Sequence, residues 1–226
     1  MIRIRNLNKQ YGDKIVLKNI NLNFDPGKVY GIVGENGAGK TTLFRCIAGL
    51  EGFSGEIFSG ITPLKDHLGL LLTEPFFFSK ITGREYLRLL CNARGIELMH
   101  VDERNIFSLP LDQYASTYST GMKKKLALTA ILFQENDYFI LDEPYNGVDI
   151  QSNLILTEVI AKLRELNKIV LISSHIFSTL ADSCDEIHLL NQGEVVKSVQ
   201  RGEFDQLEEE MKKRVVGGKV EALGLK

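Results

Sequence analysis

A glycine-rich stretch at residues 34–42, GENGAGKTT, carries the residue types needed to hold phosphate groups. It matches the pattern G-x-x-x-x-G-K-[ST] and lies between a predicted buried strand and a predicted helix. Glycine lets backbone N–H groups approach phosphate oxygens because no Cβ intervenes, and the following helix N-terminus adds partial positive charge. In this pattern Lys40 reaches the β- and γ-phosphates, and the hydroxyl of Thr41 holds Mg²⁺. The predicted phosphate loop consists of consecutive residues: Gly34, Glu35, Asn36, Gly37, Ala38, Gly39, Lys40, Thr41 and Thr42.

Two carboxylates follow the apolar run YFIL at residues 138–141. A buried strand that ends in Asp142 and Glu143 delivers both side chains to the edge of the sheet where the phosphate loop also lies. Asp142 is predicted to bind Mg²⁺ through water. Glu143 points in a different direction and is predicted to act as general base on an attacking water. The two stretches together predict a site that hydrolyses a nucleoside triphosphate.

The strands and helices that must position these groups follow from the pattern of apolar residues. IRIRNLNKQY and IVLKNINLNF alternate apolar and polar residues, which predicts paired antiparallel strands with one solvated face. Farther along the chain, strands alternate with helices, which favours a mainly parallel sheet. Besides the N-terminal pair, strands are predicted at 28–34, 54–60, 68–72, 138–142, 169–173 and 186–191, with a hairpin strand at 194–199, and helices at 41–50, 151–167 and 176–182.

Residues 79–117 interrupt this alternation, because the helical spacing of TGREYLRLLCNARGI is followed by short helices and loops. We therefore predict a small helical subdomain at about 77–136, inserted into a core formed by 1–76 and 137–205. A C-terminal helical tail is predicted at about 203–226. The predicted fold class is α/β.

The composition excludes several classes of protein. Of the 226 residues, 44% are hydrophobic and 25% charged, which is ordinary for a globular protein of one domain or two lobes. A net charge of −2 and the lack of a basic stripe argue against a nucleic-acid partner. Cys46, Cys91 and Cys184 form no CxxC motif and are expected to be buried reduced thiols. No apolar run approaches the roughly 20 residues that cross a bilayer, and no signal-peptide pattern is present.

The stretch YSTGM at residues 118–122 resembles the LSGGQ signature of the ATP-binding cassette (ABC) family. Further family motifs can be matched in chain order. Tyr11 resembles the aromatic residue that stacks on adenine. The stretch NGVD, which ends in Asp149, resembles the D-loop, and His175 in SSH resembles the switch histidine. The resemblance covers about residues 1–205. It implies a P-loop NTPase core with a mainly parallel sheet, an N-terminal antiparallel β subdomain and an inserted α-helical subdomain.

The resemblance also implies a mechanism that uses ATP and Mg²⁺. Two cassettes pair head to tail, and each ATP lies between the phosphate loop of one cassette and the signature helix of the other. Ser119 and Gly121 are then expected to contact the γ-phosphate in trans, and Asp149 to cross the interface. His175 is expected to contact the γ-phosphate and to hold the water and Glu143 in line. The expected partner is a second cassette, taken to be another copy of this chain.

Two positions depart from the family pattern. Thr120 replaces the first glycine of LSGGQ, and a β-branched residue restricts the backbone there. The glutamine of the Q-loop falls on Thr73, which is followed by Glu74. Thr73 could ligate Mg²⁺ through its hydroxyl and Glu74 through its carboxylate, and the sequence does not decide between them.

After Glu74 come three aromatic residues, Phe76, Phe77 and Phe78. They lie where family members have a groove that receives a membrane subunit. An extended segment cannot turn all three side chains toward one core. We therefore predict that at least one is exposed and docks a permease subunit. The alternative is that all three are buried in the helical subdomain.

The predicted function is that of the ATP-hydrolysing subunit of an ABC transporter. The chain is expected in the cytoplasm, on the inner face of the membrane, bound to membrane-spanning permease subunits and to no nucleic acid. YSTGM and the compact helical subdomain resemble exporter cassettes. Two alternatives stay open: an ABC ATPase that acts on ribosomes or DNA, and a degenerate cassette that only binds ATP within a heterodimer.

Overall fold

The computed structural model describes residues 1–216, and of residues 214–216 only the helix backbone. Its strands are β1 (Ile2–Tyr11), β2 (Lys14–Phe24), β3 (Lys28–Val33), β4 (Ser54–Ser59), β5 (Leu68–Leu71), β6 (Tyr138–Asp142), β7 (Ile169–Ser174), β8 (Glu186–Asn191) and β9 (Glu194–Gln200). Its α-helices are α1 (Lys40–Ile47), α2 (Gly83–Asn92), α3 (Thr120–Phe133), α4 (Ile150–Glu165), α5 (Phe177–Ala181) and α6 (Phe204–Val216). The end of the predicted helical tail, residues 217–226, lies outside the described residues.

The larger sheet has the strand order β5-β6-β7-β3-β8-β9. Neighbours from β5 to β8 run parallel, and β9 pairs antiparallel with β8. The central strands β3, β6 and β7 are buried along almost their whole length, as expected for apolar strands covered on both faces. The prediction of an α/β fold with a mainly parallel sheet is confirmed. Because these strands are parallel, the loops after β3, β6 and β7 leave the same edge of the sheet.

One face of the parallel sheet is covered by helix α1 and by the smaller, antiparallel sheet, whose order is β2-β1-β4. Alternate side chains of this smaller sheet point inward, so that Ile4 and Phe24 join one buried cluster with Phe44 of α1 and Ile32 of β3. The pairing of β1 with β2 confirms the predicted antiparallel strands.

The opposite face of the parallel sheet packs against helices. Val33 of β3 and Ile172 of β7 lie in one buried cluster with Leu126 of α3, Leu156 of α4 and Leu180 of α5. Helix α3 is buried around most of its circumference, because it lies between α2 and strand β5. The two helices α2 and α3 occupy the chain between β5 and β6, where the inserted helical subdomain is predicted. Its boundaries at 77 and 136 stay a prediction.

The helix that follows the phosphate loop is shorter than predicted. We expected it at 41–50, and α1 ends at Ile47. Gly49 adopts a φ of 72°, and the N–H of Leu50 donates to the carbonyl of Arg45. A left-handed glycine with such a bond is a common way for a helix to stop.

Candidate functional site

The phosphate loop joins β3 to α1, and its glycines are fixed by close packing. At Gly34 an added Cβ would lie 2.3 Å from the carbonyl oxygen of Leu190. Gly39 has a φ of 112°, and a Cβ there would lie 3.0 Å from the carbonyl oxygen of Val16. Neither position accepts a side chain, because the loop passes directly against strands β2 and β8. These glycines are therefore needed to seat the loop as well as to expose its N–H groups.

A cleft of about 880 Å³ opens above this loop. Its volume suits a nucleotide-sized ligand, since pockets for small molecules span about 300–1,000 Å³. The predicted site residues that line it are Tyr11, Asn36, Gly37, Gly39, Lys40, Thr41, Thr42, Thr73, Glu143 and His175. Residues that the sequence reasoning missed line it too: Lys14, Ile15, Val16, Lys18, Asn146 and Gln192. Lys14 and Lys18 of β2 bring positive charge to the cleft. The only indication of their role in the sequence was that they follow soon after Tyr11.

Asp142 is fully buried behind Thr41 and Thr73, which line the inner corner of the cleft. The hydroxyls of Thr41 and Thr73 both donate to its Oδ2 atom, at 2.7 and 2.8 Å. Its Oδ1 atom accepts a hydrogen bond from the hydroxyl of Ser173. Three chain segments that are distant in sequence thus meet on one carboxylate.

This corner fits the requirements of Mg²⁺, which prefers oxygen ligands and usually binds through one or two carboxylates, waters and substrate phosphates. The oxygens of Thr41, Thr73 and Asp142 supply such ligands. Within residues 1–216 no cluster of three or more His, Cys, Asp or Glu could hold a metal on its own. The structure brings Thr73 to this corner, whereas Glu74 is exposed and does not line the cleft.

Glu143 and His175 meet at the mouth of the cleft. Nδ1 of His175 lies 3.0 Å from Oε2 of Glu143, and Nζ of Lys40 lies 3.7 Å from the other carboxylate oxygen, Oε1. Lys40 is buried and donates to the carbonyls of Gly34 and Glu35, at 2.7 and 3.2 Å. The Glu143 side chain is only 12% exposed, so its carboxylate lies in a sheltered position beside the phosphate loop. A carboxylate paired with an imidazole in this way can orient a water and take its proton.

The signature residues lie away from this cleft. Ser119 is the N-cap of α3, and its hydroxyl accepts a hydrogen bond from the N–H of Met122 at 3.2 Å. Gly121 packs against the loop between β6 and α4. A Cβ added to Gly121 would lie 2.6 Å from the carbonyl oxygen of Gly147 in that loop. Neither Ser119 nor Gly121 lines the cleft of its own chain. Their predicted contact with a nucleotide therefore requires another molecule.

Asp149 also lies outside the cleft and caps helix α4. Its carboxylate accepts hydrogen bonds from the N–H and hydroxyl of Ser152, and from Lys125 at 3.1 Å. These bonds, the one from the backbone N–H of Ser152 first, hold the pKa of Asp149 well below its usual range. The charged form of Asp149 thus fixes the loop before α4, and its predicted contact across an interface stays a prediction.

Phe76 and Phe78 form an exposed aromatic pair, with their side chains 73% and 57% accessible and their ring centroids 5.4 Å apart. Phe77 points the other way and packs on Tyr86, with ring centroids 4.5 Å apart. The prediction that at least one of the three is exposed is confirmed, and the alternative of three buried rings is wrong. None of the helices in residues 1–216 combines the length and apolar character needed to traverse a membrane.

Comparisons with known proteins agree with this geometry. The family model described as ABC transporter matches residues 17–146. The bacitracin transport ATP-binding protein BcrA of Enterococcus faecalis is 33% identical over 225 residues, which cover 90% of this chain and 70% of that protein. The lantibiotic transport ATP-binding protein SrtF of Streptococcus pyogenes is 31% identical over 92% of this chain and 95% of its own length.

The fold is similar to that of solved proteins as well. An ATP-binding cassette solved as a dimer in a post-hydrolysis state, bound to ADP and Pi, superposes with a TM-score of 0.79. The match covers 89% of this chain and 99% of the solved one, at 20% sequence identity. At that identity the likeness shows a shared fold.

Proposed function

This chain belongs to the ABC transporter family as an ATP-binding subunit, and we propose that it hydrolyses ATP while paired with a second cassette, driving transport through separate membrane subunits. Tyr11 stacks on the adenine, and the phosphate loop with Lys40 holds the phosphates. The division into a core, an inserted helical subdomain at about 77–136 and a helical tail is part of this proposal. The ribosome- or DNA-acting alternative gains no support from relatives named for transport.

The observation that carries the proposal is the convergence of Glu143, His175 and Lys40 beside the corner formed by Asp142 and Thr41. In the proposed reaction Glu143 accepts a proton from water, and His175 fixes the orientation of that carboxylate. The hydroxide attacks the γ-phosphorus, the bond to the β-phosphate oxygen breaks, and ADP and phosphate leave. Mg²⁺ held by Thr41, Thr73 and Asp142 would neutralise charge on the phosphates.

A second cassette completes the site in this proposal. Ser119 begins a helix of 14 residues, whose N-terminus is suited to phosphate, yet it does not line the cleft of its own chain. Ser119 and Gly121 therefore serve the nucleotide of a partner, which we take to be a second copy, and Asp149 lies at the interface between them. The solved dimeric cassette with this fold supports that arrangement.

The exposed pair Phe76 and Phe78 supports docking to a permease, because adjacent exposed aromatics commonly mark interaction surfaces. Docking there places the chain on the inner face of the membrane. We propose export as the direction of transport, since the signature resembles that of exporter cassettes and the relatives are named for transport of bacitracin and lantibiotics.

The test is light scattering on purified Glu143→Gln with and without Mg²⁺-ATP. This variant should lose hydrolysis by roughly 100-fold or more, because the base is gone, while the phosphate loop stays intact. We expect a shift from monomer to dimer only when ATP is present. Glu97→Gln, a like change at an exposed residue of the helical subdomain, serves as control and should hydrolyse ATP at the wild-type rate.

Two outcomes would contradict the proposal. A Glu143→Gln protein that binds ATP and stays monomeric, alone and with permease, removes the second-copy arrangement. A wild-type protein that binds ATP and releases no phosphate, alone or with permease, is instead the degenerate cassette.

A further inference from the structure

The backbone at Glu143 has an unusual conformation. Glu143 adopts a φ of 50°, in the left-handed region that non-glycine residues rarely occupy. It opens a turn that runs to Asn146, in which the N–H of Asn146 donates to the carbonyl of Glu143 at 3.2 Å. Such conformations persist only where the surrounding structure holds them, and they concentrate at functional sites.

A buried lysine holds both ends of this turn. Lys124 of helix α3 is 3% exposed, and its Nζ atom donates to the carbonyls of Glu143 and Asn146, at 2.8 and 2.7 Å. A buried ammonium is costly unless hydrogen bonds replace its water. Burial lowers the pKa of Lys124, and the carboxylates of Glu143 and Asp142 oppose that shift. The two carbonyls and the two nearby carboxylates together explain how a cation is kept at this position.

The peptide groups on both sides of the Glu143 Cα are thus fixed. Its carbonyl accepts from Lys124, and its N–H donates to the hydroxyl of Ser173 at 3.0 Å. With both peptide groups held, the backbone fixes the direction of the Cα–Cβ bond of Glu143, from which its carboxylate reaches His175. Neither Lys124 nor Ser173 lines the cleft, so both contact Glu143 from the side that faces away from the cleft.

We propose that Lys124 is a positioning residue for the general base Glu143. This inference rests on the proposed hydrolysis of ATP and adds to it a link between the signature helix and the base. Lys124 holds the turn from Glu143 to Asn146 in the conformation that aims the carboxylate at the water. Because Lys124 does not line the cleft, we expect it to affect turnover and not ATP binding.

The test compares three variants of the full chain with the wild type. Lys124→Met keeps the length of the side chain and removes the donor. Lys124→Gln keeps a neutral donor. Lys123→Met makes the same change at the neighbouring lysine of α3, which is half-buried and is not part of the proposed clamp. ATP turnover, KM for ATP, binding of a fluorescent ATP analogue and thermal unfolding are measured for each.

We expect Lys124→Met to lower kcat by about 100-fold, the scale on which small misplacements of catalytic groups act. Its KM and its affinity for the analogue should stay within about 2-fold of wild type, since it removes no ground-state contact. Lys124→Gln should recover part of the lost kcat, and Lys123→Met should match the wild type. Lost folding would lower the amount of active protein, and the thermal unfolding of each variant measures it directly.

A double variant tests whether Lys124 acts through Glu143. In the Glu143→Gln background, single-turnover hydrolysis should not fall further when Lys124→Met is added, because residues that act as a unit are not additive. Losses that multiply would overturn the inference, as would an unchanged kcat in Lys124→Met.

Amide exchange followed by mass spectrometry gives a readout that needs no hydrolysis. Lys124→Met should exchange faster at the peptide that spans residues 142–147, and Lys123→Met should not. If the wild type releases no phosphate, the proposed function fails, while faster exchange would still show that Lys124 holds the turn. Unchanged exchange shows that the turn does not depend on Lys124 and removes the inference.

Discussion

At the scale of residues, the oxygen atoms around Asp142 form the corner that we propose holds Mg²⁺. Oδ2 of Asp142 accepts hydrogen bonds from both Thr41 and Thr73 and is thereby turned toward the phosphate loop. Bonds from hydroxyls to a buried carboxylate are among the stronger neutral–ion pairs in proteins. Thr73 occupies the position where family members are expected to have glutamine, so a shorter side chain serves this corner.

Substitution of Thr73 tests its part in holding Mg²⁺. Thr73→Val removes the hydroxyl and keeps the shape, and a lost hydrogen bond to a charged group is worth about 1.5–3 kcal/mol. We expect the Mg²⁺ concentration for half-maximal ATPase to rise about 10-fold, since 1.4 kcal/mol corresponds to a factor of ten. A Mg²⁺ titration of ATP hydrolysis measures this.

Two companion variants sharpen that result. Thr73→Ser keeps the hydroxyl and should behave like the wild type. Glu74→Gln should also leave the titration unchanged, because Glu74 is exposed outside the cleft. A large shift in Glu74→Gln with none in Thr73→Val would mean that the carboxylate, not the hydroxyl, serves the metal.

At the scale of elements, helix α3 contacts the segment from Glu143 to Asp149 at several points. Gly121 approaches Gly147, Lys124 holds the turn at Glu143, and Lys125 pairs with Asp149 at 3.1 Å. The N-terminus of this helix is capped by Ser119. Helix α3 and the loop after β6 therefore pack as one unit.

Ser119→Ala should have two separable effects. Loss of the N-cap is expected to lower the free energy of unfolding by about 1 kcal/mol. If Ser119 also binds the nucleotide of a partner, the same change in the Glu143→Gln background should weaken the ATP-dependent dimer. Denaturant unfolding and light scattering measure the two effects.

Helix α2 provides the matched control. Thr82 also caps its helix by accepting from the N–H of Glu85, and it lies in the predicted helical subdomain. Thr82→Ala should cost a similar free energy of unfolding and leave the dimer unchanged. Equal dimer loss in both variants would show that Ser119 acts only as a cap.

The whole molecule brings the groups around Asp142 and Glu143 together from four distant parts of the chain. The loop after β3, Thr73 shortly after β5, and the residues at the ends of β6 and β7 all lie at the same edge of the parallel sheet. Both faces of that sheet are covered, one by the antiparallel sheet and α1, the other by helices. This burial fixes the strands, so that side chains far apart in sequence meet within hydrogen-bonding distance.

Substitution of the exposed aromatic pair tests the proposed docking surface for a permease. The double variant Phe76→Ser and Phe78→Ser should have a free energy of unfolding within about 0.5 kcal/mol of wild type, because both rings are exposed. Binding to the cognate permease should weaken by about 10- to 100-fold, as for aromatic residues central to an interface. Co-purification with permease in detergent, followed by titration, measures this.

Leu166→Ser supplies a control, since Leu166 is also exposed, at 57%, at the end of α4. It should bind the permease as the wild type does. Phe77→Ser is unsuitable for this purpose, because Phe77 packs on Tyr86 and its loss would disturb the helical subdomain. Unchanged binding by the Phe76 and Phe78 variant would remove the proposed docking surface.

The sequence by itself determined the phosphate loop, the pair Asp142 and Glu143, and the class of fold. These follow from local patterns: a glycine motif with fixed spacing, a buried strand that ends in carboxylates, and an alternation of strands with helices. Such patterns are decided by neighbours in sequence, and the family membership agrees with them. The roles assigned to the individual site residues stay predictions.

Only the tertiary structure showed that Thr73, and not Glu74, bonds to Asp142, that Phe77 points away from its neighbours, and that Lys124 is buried beneath Glu143. Thr73 and Phe77 lie in an irregular segment after β5, where no helical or strand periodicity fixes which way a side chain points. Lys124 lies among three consecutive lysines that look alike in sequence. Their directions depend on contacts with residues up to 69 positions away, which exist only once the sheet has brought its strands together.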